Sequence, residues 1–115
     1  MNWKPLTSVN QIPTLIQESK SESNSGILIF KHSTRCSVSF LAKKNIESDW
    51  NINSETLPTY YLDLIQYRGV SNQLAETFDV MHESPQILLI ADGICRYFAS
   101  HSQISVKEIE NQITN

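Results

Sequence analysis

Cys36 is the residue whose type and position most clearly indicate chemistry. It lies in the segment HSTRCSVS, between a run of apolar residues and a predicted helix. The free N–H groups and the dipole at a helix N-terminus stabilise a thiolate, which is the form of cysteine that attacks a disulfide. We therefore predict that Cys36 is the nucleophile of a thiol–disulfide exchange.

The surroundings of Cys36 in the sequence are basic and rich in hydroxyl groups. Residues 31–44 include Lys31, Arg35, Lys43 and Lys44 and no acidic residue, although the whole chain has a net charge of −3. Such fixed positive charges favour a thiolate and an anionic partner. The side chains predicted to support the thiolate are Thr34, Arg35, Ser37 and Ser39.

Ser39 lies three residues after Cys36, where a dithiol enzyme carries its second cysteine. A hydroxyl cannot resolve a mixed disulfide, so we predict a monothiol mechanism in which a second thiol molecule releases Cys36. The other cysteine, Cys95, falls near the start of the last predicted strand, at the end of the sheet away from Cys36. A disulfide needs Cα atoms within about 7 Å, and we therefore interpret Cys95 as structural.

The predicted elements place Cys36 at the edge of a sheet. The run ILIF after Gly26 is typical of a strand buried on both faces, and the predicted loop KHSTRC follows it. TYYLDLI and QILLIA are further strands, and Asp92-Gly93 indicates a hairpin turn. Segments with the apolar periodicity of helices alternate with these strands along the chain. This order predicts an α/β, thioredoxin-like fold with a mixed sheet of four or five strands, about four flanking helices and a single domain, 1–115.

The same topology gathers a second group of residues near Cys36. A strand over 86–91 that is antiparallel to ILIF begins at the edge where Cys36 lies, and the last strand ends there. Ser84, Pro85 and His101 are therefore predicted to face Cys36, and the resemblance to thioredoxin-like proteins implies that Pro85 follows a cis bond. His32, His82 and His101 would share this rim, but their loops lack a recognised ligand spacing, and we predict no metal.

Length and composition limit the possible functions. The chain has 115 residues, 40% of them apolar, and a pI of about 5.5, which is ordinary for a soluble protein. The net negative charge of the chain argues against binding to nucleic acid, whose phosphates need a basic surface. No apolar run approaches the roughly 20 residues of a membrane helix, and the first residues lack the apolar region of a signal peptide. We therefore predict a cytoplasmic protein without a membrane partner.

Three blocks, KHSTRCSVS, HESPQILLI and ASHSQIS, resemble the monothiol bacilliredoxins, which are thioredoxin-like general stress proteins of the bacillithiol system. The resemblance covers nearly the whole chain. The family commonly carries Thr-Cys-Pro-Ile-Ser at the site, whereas Ser37 and Val38 follow Cys36 here. The resemblance implies that Cys36 attacks the bacillithiol sulfur of S-bacillithiolated client proteins and becomes a mixed disulfide with bacillithiol.

Bacillithiol is built from cysteine, glucosamine and malate, so the resemblance implies an anionic co-substrate and no tightly bound cofactor. The residues expected to contact substrate are Lys31, His32, Ser84, Pro85 and His101, with Arg35 beside them. The sequence leaves two alternatives open. One is a monothiol glutaredoxin-like protein, although the typical Cys-Gly-Phe-Ser is missing. The other is a non-catalytic thioredoxin-like binding or stress module in which Cys36 is only modified.

Overall fold

A computed structural model describes residues 1–113 and has a five-stranded mixed sheet with α-helices on both faces. The strands are β1 (Trp3–Pro5), β2 (Ile27–His32), β3 (Thr59–Asp63), β4 (Gln86–Ala91) and β5 (Ile94–Ser100). The helices are α1 (Ile12–Ser19), α2 (Ser37–Asp49), α3 (Arg68–Phe78) and α4 (Val106–Ile113). Short 3-10 turns cover Val9–Gln11 and His101–Gln103. The predicted order of strands and helices is confirmed.

The sheet has the order β1-β3-β2-β4-β5. β1 and β2 each run parallel to β3, whereas β4 is antiparallel to β2, and β5 is antiparallel to β4. The parallel strands need crossover connections, which the helices supply. The final hairpin forms an antiparallel edge, as the Asp92-Gly93 turn predicts.

β2 and β4 form the centre of the molecule because helices cover both of their faces. Every residue of these two strands is buried. Ile29 belongs to a core that includes residues of α1 and α3. Phe30, the next residue, belongs to a second core with residues of α2 and α4. Two-sided coverage explains why the strands are continuously apolar rather than alternating.

The end of β2 differs from the sequence prediction. Lys31 and His32 were predicted to begin a loop, but both continue the strand. Lys31 pairs with Leu62 of β3 and with Gln86 of β4. Main-chain hydrogen bonds to two neighbouring strands outweigh the polarity of the side chains, and the pattern of side chains does not report such pairing. Within residues 1–113, no helix is long and apolar enough to cross a bilayer.

Candidate functional site

The register of three strands brings the predicted site segments to one edge of the sheet. Lys31 is opposite Gln86, and Gln86 is opposite Ser100. The chain therefore leaves β2 toward Cys36, enters β4 from Pro85, and leaves β5 at His101 along the same edge. The predicted common edge for these segments is confirmed.

Cys36 is the N-cap residue of α2. Its backbone is extended, with φ −115° and ψ 120°, and its thiol is free and partly exposed. The Cys36 N–H donates to the Ser33 carbonyl at 3.2 Å, and the Cys36 carbonyl accepts from the Phe40 N–H at 3.1 Å. No acidic residue lies in the first turn of α2. The thiol therefore lies at the N-terminal end of a 13-residue helix, which is the positive end of the helix dipole.

The segment before β4 lies along the same edge of the sheet. The Ser84–Pro85 bond is cis, as expected. The Pro85 carbonyl accepts a hydrogen bond from the His101 N–H at 2.9 Å. His101 has a positive φ of 55° and an exposed side chain, whereas Pro85 is buried. This bond joins the chain entering β4 to the chain leaving β5, beside the loop that carries Cys36.

Ser39 is buried and points toward the loop that precedes Cys36. Its Oγ accepts a hydrogen bond from the Ser33 N–H at 3.0 Å and lies 2.6 Å from Nδ1 of His32. These bonds differ from the predicted direct bond to the thiolate. They connect α2 to the start of the 33–36 loop, which leads to Cys36.

Lys31 and His32 were predicted to contact substrate, but both lie inside the protein. Direct contact with substrate requires an exposed side chain. Neither side chain has exposed surface. Nζ of Lys31 lies 3.4 Å from the Ser71 carbonyl and 3.4 Å from Nδ1 of His82. Burial lowers the pKa of Lys31 to about 8. Both side chains are buried because β2 extends beneath the site rather than forming an exposed loop.

The three histidines do not converge. The His32 ring packs against Phe30 and Phe40 on the face of α2, and its Nε2 has no hydrogen-bond partner among the described residues. Burial, followed by the charge of Lys43, lowers the pKa of His32. His82 contacts Lys31 on the opposite face of the sheet, near α3. Residues 1–113 contain no group of three or more His, Cys, Asp or Glu that could hold a metal ion.

The remaining predicted residues lie at or near the surface. Thr34, Arg35 and Ser37 are exposed, and Ser84 is half-buried. Phe40 was not among the predicted site residues, and its ring lies edge-on against His32 with 4.8 Å between centroids. Its signal was its place four residues after Cys36 in a predicted helix, because residues four apart share a helix face.

Cys95 lies at the other end of the sheet. It is opposite Ile90, next to the turn that joins β4 and β5, and its thiol is free. The Cys95 Sγ contacts the Tyr97 carbonyl at 3.5 Å, and burial raises the pKa of this thiol to about 11. A thiol that resists ionisation is a poor nucleophile, which agrees with the structural interpretation of Cys95.

Comparisons with known proteins agree with this geometry. The sequence profile of the family "Monothiol bacilliredoxin BrxC" matches residues 4–109. A solved structure with a thioredoxin fold, assigned provisionally as an oxidoreductase, has 27% identity and a TM-score of 0.75, covering 94% of this chain and 90% of its own.

Two thioredoxins share the fold at lower identity. The thioredoxin of Malassezia sympodialis has 10% identity and a TM-score of 0.71, with 98% of this chain and 89% of that chain covered. The thioredoxin of Fasciola hepatica has 18% identity and a TM-score of 0.68, with 96% of each chain covered. These matches confirm the thioredoxin-like fold. Because the profile spans nearly the whole sequence, the chain belongs to the monothiol bacilliredoxin family, and its function is that of a redox thiol protein.

Proposed function

We propose that this protein removes bacillithiol from S-bacillithiolated proteins through a monothiol exchange at Cys36. The Cys36 thiolate attacks the bacillithiol sulfur of the mixed disulfide. A Cys36–bacillithiol disulfide forms, the bond between the client sulfur and bacillithiol breaks, and the client leaves as a thiolate that takes up a proton. A second bacillithiol thiolate then attacks the sulfur of the bound bacillithiol, which releases Cys36 and forms bacillithiol disulfide.

The observation that carries the proposal is the position of a free, partly exposed thiol at the N-cap of α2. The amides of the first turn of α2 stabilise the thiolate both as the attacking group and as the leaving group of the second step. Ser39 occupies the position of a resolving cysteine and is bonded to His32. The exchange therefore needs an external thiol, which the co-substrate supplies.

The other predicted residues have different proposed tasks. Arg35, Thr34 and Ser37 are exposed beside Cys36 and can approach the incoming disulfide. Ser84, Pro85 and His101, which lie along the same edge of the sheet, are proposed to contact the client chain. Lys31 and His32 are buried, and they are proposed to stabilise this edge of the sheet from the interior rather than to contact substrate. The proposed setting is a reducing cytoplasm, in which both cysteines stay free.

The test is release of bacillithiol from a defined model protein that carries it on one cysteine. The unmodified chain is expected to accelerate release in the presence of free bacillithiol, and mass spectrometry is expected to show one bacillithiol on Cys36 when free bacillithiol is omitted. Cys36→Ser is expected to abolish both results. Cys95→Ser is the matched control, and it is expected to retain both.

Three outcomes would contradict the proposal. If the unmodified chain leaves the release rate unchanged, Cys36 is only a modification target of a non-catalytic module. If Cys95→Ser also abolishes release, the mechanism uses two thiols. If a glutathione mixed disulfide is processed and the bacillithiol form is not, the chain uses the co-substrate of a glutaredoxin.

A further inference from the structure

Phe40 presents an aromatic surface one helical turn beyond Cys36. The hydrogen bond from the Phe40 N–H to the Cys36 carbonyl places the two residues on one face of α2. Phe40 is 53% exposed. The buried His32 ring supports it from below, with 4.8 Å between the ring centroids. One side of the phenyl ring thus packs on the buried His32 ring, and the rest faces solvent one turn of α2 after Cys36.

Two lysines follow Phe40 on the next turn of α2. Nζ of Lys43 is 3.0 Å from Glu47 and lies 5.7 Å from the centre of the Tyr61 ring. Its charge is therefore already compensated. Lys44 is exposed, and no carboxylate of residues 1–113 lies within ion-pair distance of it. Lys44 is consequently the cation of this turn that is available to an external anion.

A shallow groove joins these side chains to the residue after Cys36. Its volume is about 460 Å³, and it is lined by Ser37, Phe40, Leu41, Lys43, Lys44 and Glu47. At a rise of 1.5 Å per residue, Lys44 lies roughly 12 Å along the helix axis from Cys36. The groove thus offers a ring surface near the thiol and a cation about one small molecule's length away.

We propose that Phe40 and Lys44, here called the α2 strip, bind the part of an anionic low-molecular-weight thiol that lies beyond its sulfur. The inference rests on the proposed function, because it assigns the co-substrate of the same exchange to this groove. The C–H groups of a sugar ring would pack on Phe40, and a carboxylate at the far end would pair with Lys44. Glu47 lines the same groove, and Lys43 compensates its charge. The strip therefore selects an anionic thiol with a ring between its sulfur and its carboxylate.

The experiment compares two mixed disulfides of one model protein, one with bacillithiol and one with the uncharged 2-mercaptoethanol, and free 2-mercaptoethanol releases Cys36 in both arms. Lys44→Glu is expected to raise KM for the bacillithiol form about fivefold with kcat unchanged, since an exposed charge pair is weak and lost binding acts on KM. Phe40→Ala is expected to raise the same KM about threefold. Both variants are expected to process the 2-mercaptoethanol form at the rate of the unmodified chain. Lys44→Arg keeps the charge and is expected to keep the KM.

Lys20→Glu is the matched control, because Lys20 is also exposed and lies at the opposite end of the sheet, near the β4–β5 turn. It is expected to leave both KM values unchanged. The proposal is overturned if Lys44→Glu and Phe40→Ala leave KM for the bacillithiol form unchanged in a chain that still exchanges. It is also overturned if both variants slow the two mixed disulfides equally, because the strip would then contact the client protein. Failure of the unmodified chain to exchange either form would instead refute the proposed function.

Discussion

Replacement of Lys31 by methionine is expected to stabilise the protein at neutral pH. Lys31 has no exposed surface, and its Nζ contacts the Ser71 carbonyl and Nδ1 of His82 rather than a carboxylate. Methionine has a side chain of similar length and carries no charge. The substitution therefore removes a buried ammonium group and leaves the packing of β2 nearly unchanged.

The magnitude follows from the pKa of Lys31, which burial lowers from its ordinary value of 10.5 to about 8. At roughly 1.4 kcal/mol for each unit of pKa, holding the charged form inside the fold costs about 3 kcal/mol. Methionine removes this cost but also loses the two contacts of Nζ, which are worth about 1–2 kcal/mol together. The net gain in the free energy of unfolding at pH 7 is then about 1–2 kcal/mol.

The stabilisation by Lys31→Met is expected to depend on pH. Below about pH 8 the folded and the unfolded chain both hold the Lys31 proton, so the full cost is present. Between about 8 and 10.5 the folded chain has lost the proton and the unfolded chain has not, so the stability of the unmodified protein rises with pH. The advantage of Lys31→Met is therefore expected to shrink and then disappear as pH rises through this window.

Urea unfolding at pH 6.5, 7.5, 8.5 and 9.5 gives the free energy of unfolding of the variant and of the unmodified chain. The difference between the two values at each pH measures the effect. Lys20→Met is the matched control at an exposed lysine, and it is expected to change the free energy of unfolding little at any of these pH values. Lys31→Arg keeps a charge that cannot be removed and is expected to destabilise throughout. If Lys31→Met is less stable at pH 6.5 and the difference does not vary with pH, the reasoning about the buried charge is refuted.

Three further outcomes are expected from other buried contacts. Ser39→Ala removes the bonds of Oγ to His32 and to the Ser33 N–H and is expected to cost about 1–3 kcal/mol in urea unfolding, whereas a loss below about 0.5 kcal/mol would contradict these bonds. Gly26→Ala is expected to lower the melting temperature by about 10 °C or more, because Gly26 has φ +124° and a Cβ there would lie 2.5 Å from the Ile90 carbonyl oxygen; an unchanged melting temperature would refute this geometry. Alkylation at pH 8 is expected to label Cys36 much faster than Cys95, since burial raises the Cys95 pKa to about 11, and equal rates by mass spectrometry would argue against that burial.

The sequence was a good guide to the site where local signals and chain order agree. Cys36 follows a continuous apolar strand and precedes a helical pattern, and these two signals place its thiol at a helix N-terminus. The Asp92-Gly93 turn fixes the direction of the last two strands, which brings Pro85 and His101 to the same edge. Such inferences need only the period of each element and the order of elements along the chain.

The sequence was a poor guide to which polar side chains face the interior. Lys31 and His32 were expected at the surface, because charged and polar residues after an apolar run usually begin a loop. Their burial depends on strand pairing with segments distant in the chain, because Lys31 pairs with β3 and β4 and His32 pairs with β3. The partner of Ser39 was also missed, since a hydroxyl at that spacing has several local acceptors and only the packing of α2 against β2 selects His32.

The amino-acid sequence by itself thus determined the place of Cys36 before a helix, the serine three residues later and the order of elements that makes the fold. These features depend on covalent neighbours and on short-range periodicity, which are the same in every conformation of the chain. Only the tertiary structure decided that Lys31 and His32 support the edge from within, that Ser39 bonds to His32, and that Phe40 and Lys44 share a groove with the residue after Cys36. Those features depend on contacts between distant segments, which exist only after the sheet and its helices have packed.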